Sequence, residues 1–228
     1  MKVPIPVPCR TCGAVYTAIG YGEKSIPPVF CPTCRAAIFP IDPLSISVVA
    51  ERLLIRSRTE LDGGDPTLSI ICSAIAVETA LTQAFIKWKK IEHKVGEPTP
   101  EQREELENEY RNGTTRDKSK RSGFEKSADL VSIYLTGKMF DDFVGAFVKK
   151  SGVAALIGPG SPRRESELKA SHVHKKLFDK RNRIMHWGEV NFEKDDALNA
   201  FTAACDAISI LKFMDQERCE AMRRSYRI

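Results

Sequence analysis

Two cysteine pairs, Cys9-Arg10-Thr11-Cys12 and Cys31-Pro32-Thr33-Cys34, lie eighteen residues apart near the amino terminus, and they restrict the possible folds more than any other feature. A CxxC turn lets two thiolates converge on one ion from neighbouring backbone amides, and two such turns complete the closed tetrahedron that a structural Zn²⁺ prefers. With Cys9, Cys12, Cys31 and Cys34 as ligands no coordination position stays open. Zinc is therefore expected as a folding element, and no catalytic metal is expected. Gly13 suits the positive φ such turns often need. Residues 14–19 and 36–39 are short apolar segments that read as strands, so residues 1–40 predict a small β zinc ribbon. The competing reading, a redox dithiol, needs one CxxC and a larger surrounding fold.

The other three of the seven cysteines, Cys72, Cys205 and Cys219, stand singly in apolar helical patterns and read as buried free thiols in a reducing compartment. The amino-terminal stretch Met1 to Pro8 carries three prolines and no apolar h-region, so secretion is not expected. Apolar runs such as Ser69 to Val77 are short and interrupted, and no membrane span is expected. The expectation is a soluble cytoplasmic protein.

Beyond Pro40 and Pro43 the apolar spacing becomes helical, and residues 44–222 predict a mainly α domain, a bundle of four to five helices. One helix is expected over 44–60. The next starts at Pro66, capped by Asp65, with Ile70, Ala74, Val77, Leu81, Ala84 and Trp88 on one stripe and Ile71, Ile75, Thr82 and Phe85 on its neighbour. A short helix is expected over 101–111. One long helix over about 127–150 carries the stripe Leu130, Ile133, Gly137, Phe140, Val144 and Phe147. Another runs from Glu165 to His186, and the last covers about 194–220 with Ala197, Phe201, Ala204, Ile208 and Leu211 inward.

The net charge of +5 is unevenly placed. Residues 111–126 hold six basic side chains against two acidic, and residues 163–183 hold eight against three. Such stretches attract a polyanion such as RNA, with Lys118, Lys120, Arg121 and Arg183 as candidate contacts, or they are simply solvated surface.

The most informative segment is Leu177-Phe178-Asp179-Lys180-Arg181-Asn182-Arg183-Ile184-Met185-His186-Trp187-Gly188. On a helix, Arg181 has Leu177 and Phe178 one turn before it and Ile184 and Met185 one turn after, so it emerges on an apolar face. A guanidinium cannot shed its charge, so burial demands an anion or a path to water. Glu78 interrupts the Ile71, Ile75, Thr82, Phe85 stripe in the same way, and the two read either as a pair across the bundle or as residues at the edges of their stripes. His186 ends the helix just before Gly188, the expected stop. Five residues rotate a helical side chain by about 140°. Arg181 and His186 therefore share a face only if the last turn unwinds or a second copy of the chain completes the site. Trp187 fills the core at the helix end or stacks on a base.

Arg181-Asn182-Arg183-Ile184-Met185-His186 resembles the signature of the HEPN superfamily (higher eukaryotes and prokaryotes nucleotide-binding domains): an arginine, a polar residue, and a histidine a few positions on. The resemblance spans roughly residues 44–220, with six residues as its sharp part. It implies a helical bundle that pairs as a homodimer, and a carboxylate on an early helix facing the arginine, where Glu78 stands. It also implies metal-independent RNA cleavage giving a 2′,3′-cyclic phosphate and a 5′-hydroxyl. His186 would be the general acid or base, Arg181 would stabilise phosphoryl charge, and Asn182 would orient either group. A toxin or defence role, with a neutralising or regulatory protein partner, fits that chemistry. The alternative is a non-catalytic HEPN-like module that binds nucleotide, nucleic acid or protein, in which Arg181 is structural and His186 caps a helix. Phosphate-only DNA binding, with the ribbon as a docking element, is a third reading.

Overall fold

Short alternating segments at one end and long apolar stripes beyond them give the chain two kinds of backbone. The computed structural model describes residues 2–8, 15–21, 29–30, 37–38, 48–92, 99–116, 121–151 and 165–225. Strand β1 (Lys2–Pro8) pairs antiparallel with β2 (Val15–Tyr21), Lys2 opposite Tyr21 and Pro8 opposite Val15. Strand β3 (Val29–Phe30) pairs antiparallel with β4 (Ala37–Ile38). The candidate ligands Cys9, Cys12, Cys31 and Cys34 lie outside the described residues, as do Lys118 and Lys120.

The remainder is mainly helical. Helices α1 (Val48–Gly63), α2 (Pro66–Glu92), α3 (Pro100–Arg116), α4 (Gly123–Thr136) and α5 (Phe140–Ser151) come first. Then α6 (Glu165–Leu168), α7 (Ala170–Val173), a π turn (His174–Phe178) and α8 (Asp179–Trp187) follow one another closely, before α9 (Lys194–Ser225).

Helix α2 begins where its sequence directs. Asp65 Oδ1 accepts the Leu68 amide at 2.8 Å, and Pro66 occupies a position that has no donor to satisfy. Ile70, Ala74, Val77, Leu81, Ala84 and Trp88 are buried, as are Ala197, Ala204, Ile208 and Leu211 of α9, the helix that packs along α2. Several polar groups beside this seam are closely paired. Trp88 Nε1 donates to Asp215 Oδ1 at 2.6 Å, Lys87 Nζ donates to the same carboxylate at 2.8 and 2.9 Å, and Lys212 Nζ reaches Glu51 Oε1 at 2.7 Å. By length and composition, Pro66–Lys89 and Lys194–Arg218 are apolar enough to cross a membrane, which the interrupted apolar runs did not suggest, and the larger part of each is buried inside the bundle. Cys72 is buried, and its burial pushes the thiol pKa up; Cys205 is half-buried.

Three expectations need correction. The helix expected over 127–150 is two, because Gly137 takes a left-handed conformation (φ +74°) and its amide closes on the Ile133 carbonyl at 2.8 Å. That break resets the helical phase. Phe140, Val144 and Phe147 are buried as expected, but Ile133 is exposed and Leu130 only partly covered. The true inner face of α4 is Phe124, Ala128, Asp129, Val131, Ser132 and Leu135. Asp129 is buried because it works at the junction: Oδ1 accepts the Phe140 amide at 3.0 Å, capping α5, while Arg121 binds its other oxygen. The helix expected from Glu165 to His186 is interrupted at Lys169 and by the π turn, and the Ala170 amide that starts α7 is capped by Asp141 Oδ1 at 2.8 Å. Helix α2's second stripe is narrower than expected, since Ile75 is exposed.

Candidate active site around Arg181

The site is built on the irregular stretch that precedes α8. In the π turn the Asp179 amide bonds to the His174 carbonyl, a step of five residues where a regular helix takes four. Residues five apart on an α-helix point about 140° away from each other, but the π register stacks them. His174 Nε2 and Asp179 Oδ1 are consequently 2.9 Å apart. Leu177, Phe178 and Ile184 face the core and anchor the segment. Arg181 rises between these anchors.

The Arg181 side chain is 28% exposed, and its Nη2 lies 3.5 Å from Oε1 of Glu78, which is 46% exposed. Its Nη1 donates to Asn182 Oδ1 at 3.1 Å. The two charges that interrupt apolar stripes thus meet across α2 and α8, at the stripes' edge. Their distance is that of an ion pair without a tight hydrogen bond. Burial pushes the Glu78 carboxyl above its ordinary value, and Arg181 draws it partly back.

Arg181, Asn182 and Glu78 line a cleft of about 570 Å³, closed on its other sides by α3, the first turn of α4 and the π turn. His174, Lys126, Ser127 and Tyr110 complete its polar lining. Burial raises the Tyr110 hydroxyl pKa, against the hydrogen bonds from Ser127 and Thr82. Phe124 and Phe178 form an apolar wall, their rings stacked with centroids 4.5 Å apart and planes 18° from parallel. A guanidinium, an ammonium and an imidazole against one carboxylate, beside an aromatic wall, suit an anionic ligand that also carries a flat or apolar part.

His186 does not line this cleft. Helix α8 stays regular through Trp187, and Gly188 (φ +67°) ends it by donating its amide to the Arg183 and Ile184 carbonyls, so no unwinding turns His186 toward Arg181. His186 is exposed. Trp187 is 77% exposed, which corrects the expectation that it fills the core; the helix stops before its ring can fold back. Met185 and Val190 are exposed too, so the end of α8 presents apolar surface around His186.

Two candidate nucleic-acid contacts already serve the fold. Arg183 forks onto Glu189, with Nε 2.7 Å from Oε2, and lies over the Phe192 ring. Arg121 is held by Asp129 and Glu125. Conversely, the sequence reading overlooked His174 and named Lys126 only as one of the basic side chains of residues 111–126. A signal for His174 existed: His174, Phe178 and Arg181 stand at i, i+4 and i+7, the spacing of one helix face.

Among the described residues no group of three or more His, Cys, Asp or Glu is placed to hold a metal ion. Neither models of protein families, nor characterised proteins, nor solved structures give a match to this chain.

Proposed function

We propose that the chain is a metal-independent endoribonuclease of the HEPN type, acting as a cytoplasmic homodimer. The observation that carries this reading is Arg181, held by Asn182 and Glu78 at the wall of an open, donor-rich cleft, within the segment that bears the HEPN-like motif. In this chemistry a ribose 2′-oxygen attacks the adjacent phosphorus and the bond from phosphorus to the 5′-oxygen breaks. The 2′-hydroxyl proton passes to a base, and an acid supplies a proton to the leaving 5′-oxygen. Arg181 stabilises the charge that builds on the phosphoryl oxygens. His186 exchanges the proton, since an imidazole can both accept and donate one. Since His186 points away from its own Arg181, it serves the cleft of the partner subunit, and the exposed Met185, Trp187 and Val190 supply apolar contact for that pairing. The amino-terminal module binds one structural zinc through Cys9, Cys12, Cys31 and Cys34. In support, each CxxC falls between two antiparallel strands, Pro8 opposite Val15 around the first and Phe30 opposite Ala37 around the second. A toxin or defence effector kept in check by a protein partner is the biological role that suits such an activity.

The test is incubation of full-length protein with total RNA in EDTA, followed by end-group analysis. Wild type should leave 2′,3′-cyclic phosphate and 5′-hydroxyl ends, and Arg181→Ala and His186→Ala should each lose about 10²-fold or more while staying folded. Mixing the two variants should restore part of the activity if one subunit supplies His186 to the other's Arg181. Cleavage that needs Mg²⁺ or leaves 5′-phosphates would reject the mechanism. Elemental analysis should find one zinc per chain.

A second reading has an observation of its own. His186 lies outside the cleft of its own subunit, which favours a non-catalytic module that binds nucleotide, nucleic acid or protein through the Arg181 cleft alone. No cleavage of any RNA by a demonstrated dimer would select it.

A further inference from the structure

Within one subunit, the histidine that shares the cleft with Arg181 is His174. Its environment differs from that of a packing residue. The π turn imposes a weaker hydrogen-bonding register than an α-helix, and such turns concentrate at functional sites. Here its concrete effect is to bring His174 Nε2 within 2.9 Å of an Asp179 carboxylate oxygen, the distance of an ion pair. The other nitrogen, Nδ1, is buried with no hydrogen-bond partner among the described residues. Asp179, by contrast, is about half exposed, so its carboxylate can leave the imidazole without uncovering the core.

We propose that His174 is a phosphate-positioning residue of the Arg181 cleft, with Asp179 occupying Nε2 until a phosphodiester oxygen replaces it. The substrate class rests on the ribonuclease reading above. The geometry supplies the rest: Arg181, Lys126 and His174 line one cleft, and the stacked Phe124 and Phe178 give the attached nucleoside an apolar surface. Asp179 then competes with the ligand for one donor. This sets opposite signs for changes at two adjacent side chains.

The experiment measures binding without chemistry. Full-length protein is titrated with an RNA oligonucleotide carrying 2′-deoxy substitutions, followed by fluorescence anisotropy, and with inorganic phosphate, followed by side-chain ¹⁵N NMR of His174. His174→Leu should weaken oligonucleotide binding roughly tenfold or more, the size expected for a lost charge-assisted donor. His174→Gln keeps an N–H at similar reach and should stay within about threefold of wild type. Asp179→Asn should tighten binding about threefold or more, and that gain should vanish in the His174→Leu background. Phosphate should shift the Nε2 resonance. If His174→Leu fails to fold, His174→Phe, which keeps a ring but has no donor, carries the same cycle. A purely structural His174 would leave affinity and the Nε2 resonance unmoved, which overturns the proposal. So does an Asp179→Asn gain that persists without His174, since that would be general charge removal. RNA cut normally by His174→Leu with unchanged affinity sinks this inference and spares the ribonuclease reading. Binding that depends on His174 in a protein that cuts no RNA does the reverse. Binding of neither probe rejects both.

Discussion

The seam between α2 and α9 and the cleft between α2 and α8 use similar side chains for opposite ends. At the seam, Asp215 is buried and takes hydrogen bonds of 2.6 to 2.9 Å from Trp88 and Lys87, so its charge is fully engaged. At the cleft, Glu78 and Arg181 stand 3.5 Å apart, both partly wet. Paired and dry groups hold a fold together, whereas loosely paired groups in an open cleft retain capacity for a ligand. One helix, α2, carries both arrangements, at Lys87 and Trp88 toward its carboxyl end and at Glu78 nearer its middle. The position along a single element therefore separates a closed pairing from an open one.

The sharpest way to break this contrast is at the seam. Trp88→Ala removes a large buried ring and the indole donor of Asp215, and should cost about 3 to 5 kcal/mol in urea unfolding. A cost under about 1 kcal/mol would mean that the seam is not where stability resides. The cleft should behave differently. A double-mutant cycle of Glu78→Gln and Arg181→Gln should give a coupling of about 0.5 kcal/mol and under about 1 kcal/mol, because solvent reaches both charges. A coupling of about 3 kcal/mol would place the pair with the buried ones. The pH dependence sharpens the point. Because the folded Glu78 carboxyl titrates above its ordinary value, the unfolded chain ionises first as pH rises. Stability therefore falls as pH climbs from the ordinary glutamate range to the raised folded value, and Glu78→Gln should flatten that decline. The smallest effect is expected at Asp196, whose hydrogen bond and ion pair with Lys180 hold its pKa down. Its contribution is present above about pH 3.9, the ordinary aspartate value, and is lost as pH falls below it. Asp196 is exposed enough that Asp196→Asn should change neutral-pH stability by only a few tenths of a kcal/mol, and should remove part of the acid sensitivity.

Much of the helical order was legible because its signals are local. Asp65-Pro66 starts α2, Gly188 stops α8, and the Ile70 to Trp88 stripe names the core face. The meeting of Glu78 and Arg181 was legible for the same reason, as each breaks a stripe. Ile133 misled because a stripe read through Gly137 assumes one unbroken helix, and a left-handed residue rotates everything beyond it. What stayed hidden was the approach of Asp179 to His174. That contact spans five residues, a spacing that α-helical reading treats as opposite faces, and nothing local in His174-Lys175-Lys176-Leu177-Phe178 announces a π turn. Trp187 misled because apolar type was weighed above position, and a side chain at the last residue before a stop has no following turn to fold against.

The chain's two tryptophans have an optical consequence. Trp88 is 2% exposed and rigidly bonded, so its indole should emit at short wavelength and lose that emission only when the bundle opens. Trp187 is 77% exposed beside His186, so it should emit at long wavelength and respond to quenchers such as iodide in the folded state. One spectrum thus contains two reporters, one for unfolding and one for whatever covers the end of α8. A Trp187→Phe variant would separate them and give each process its own fluorescence channel.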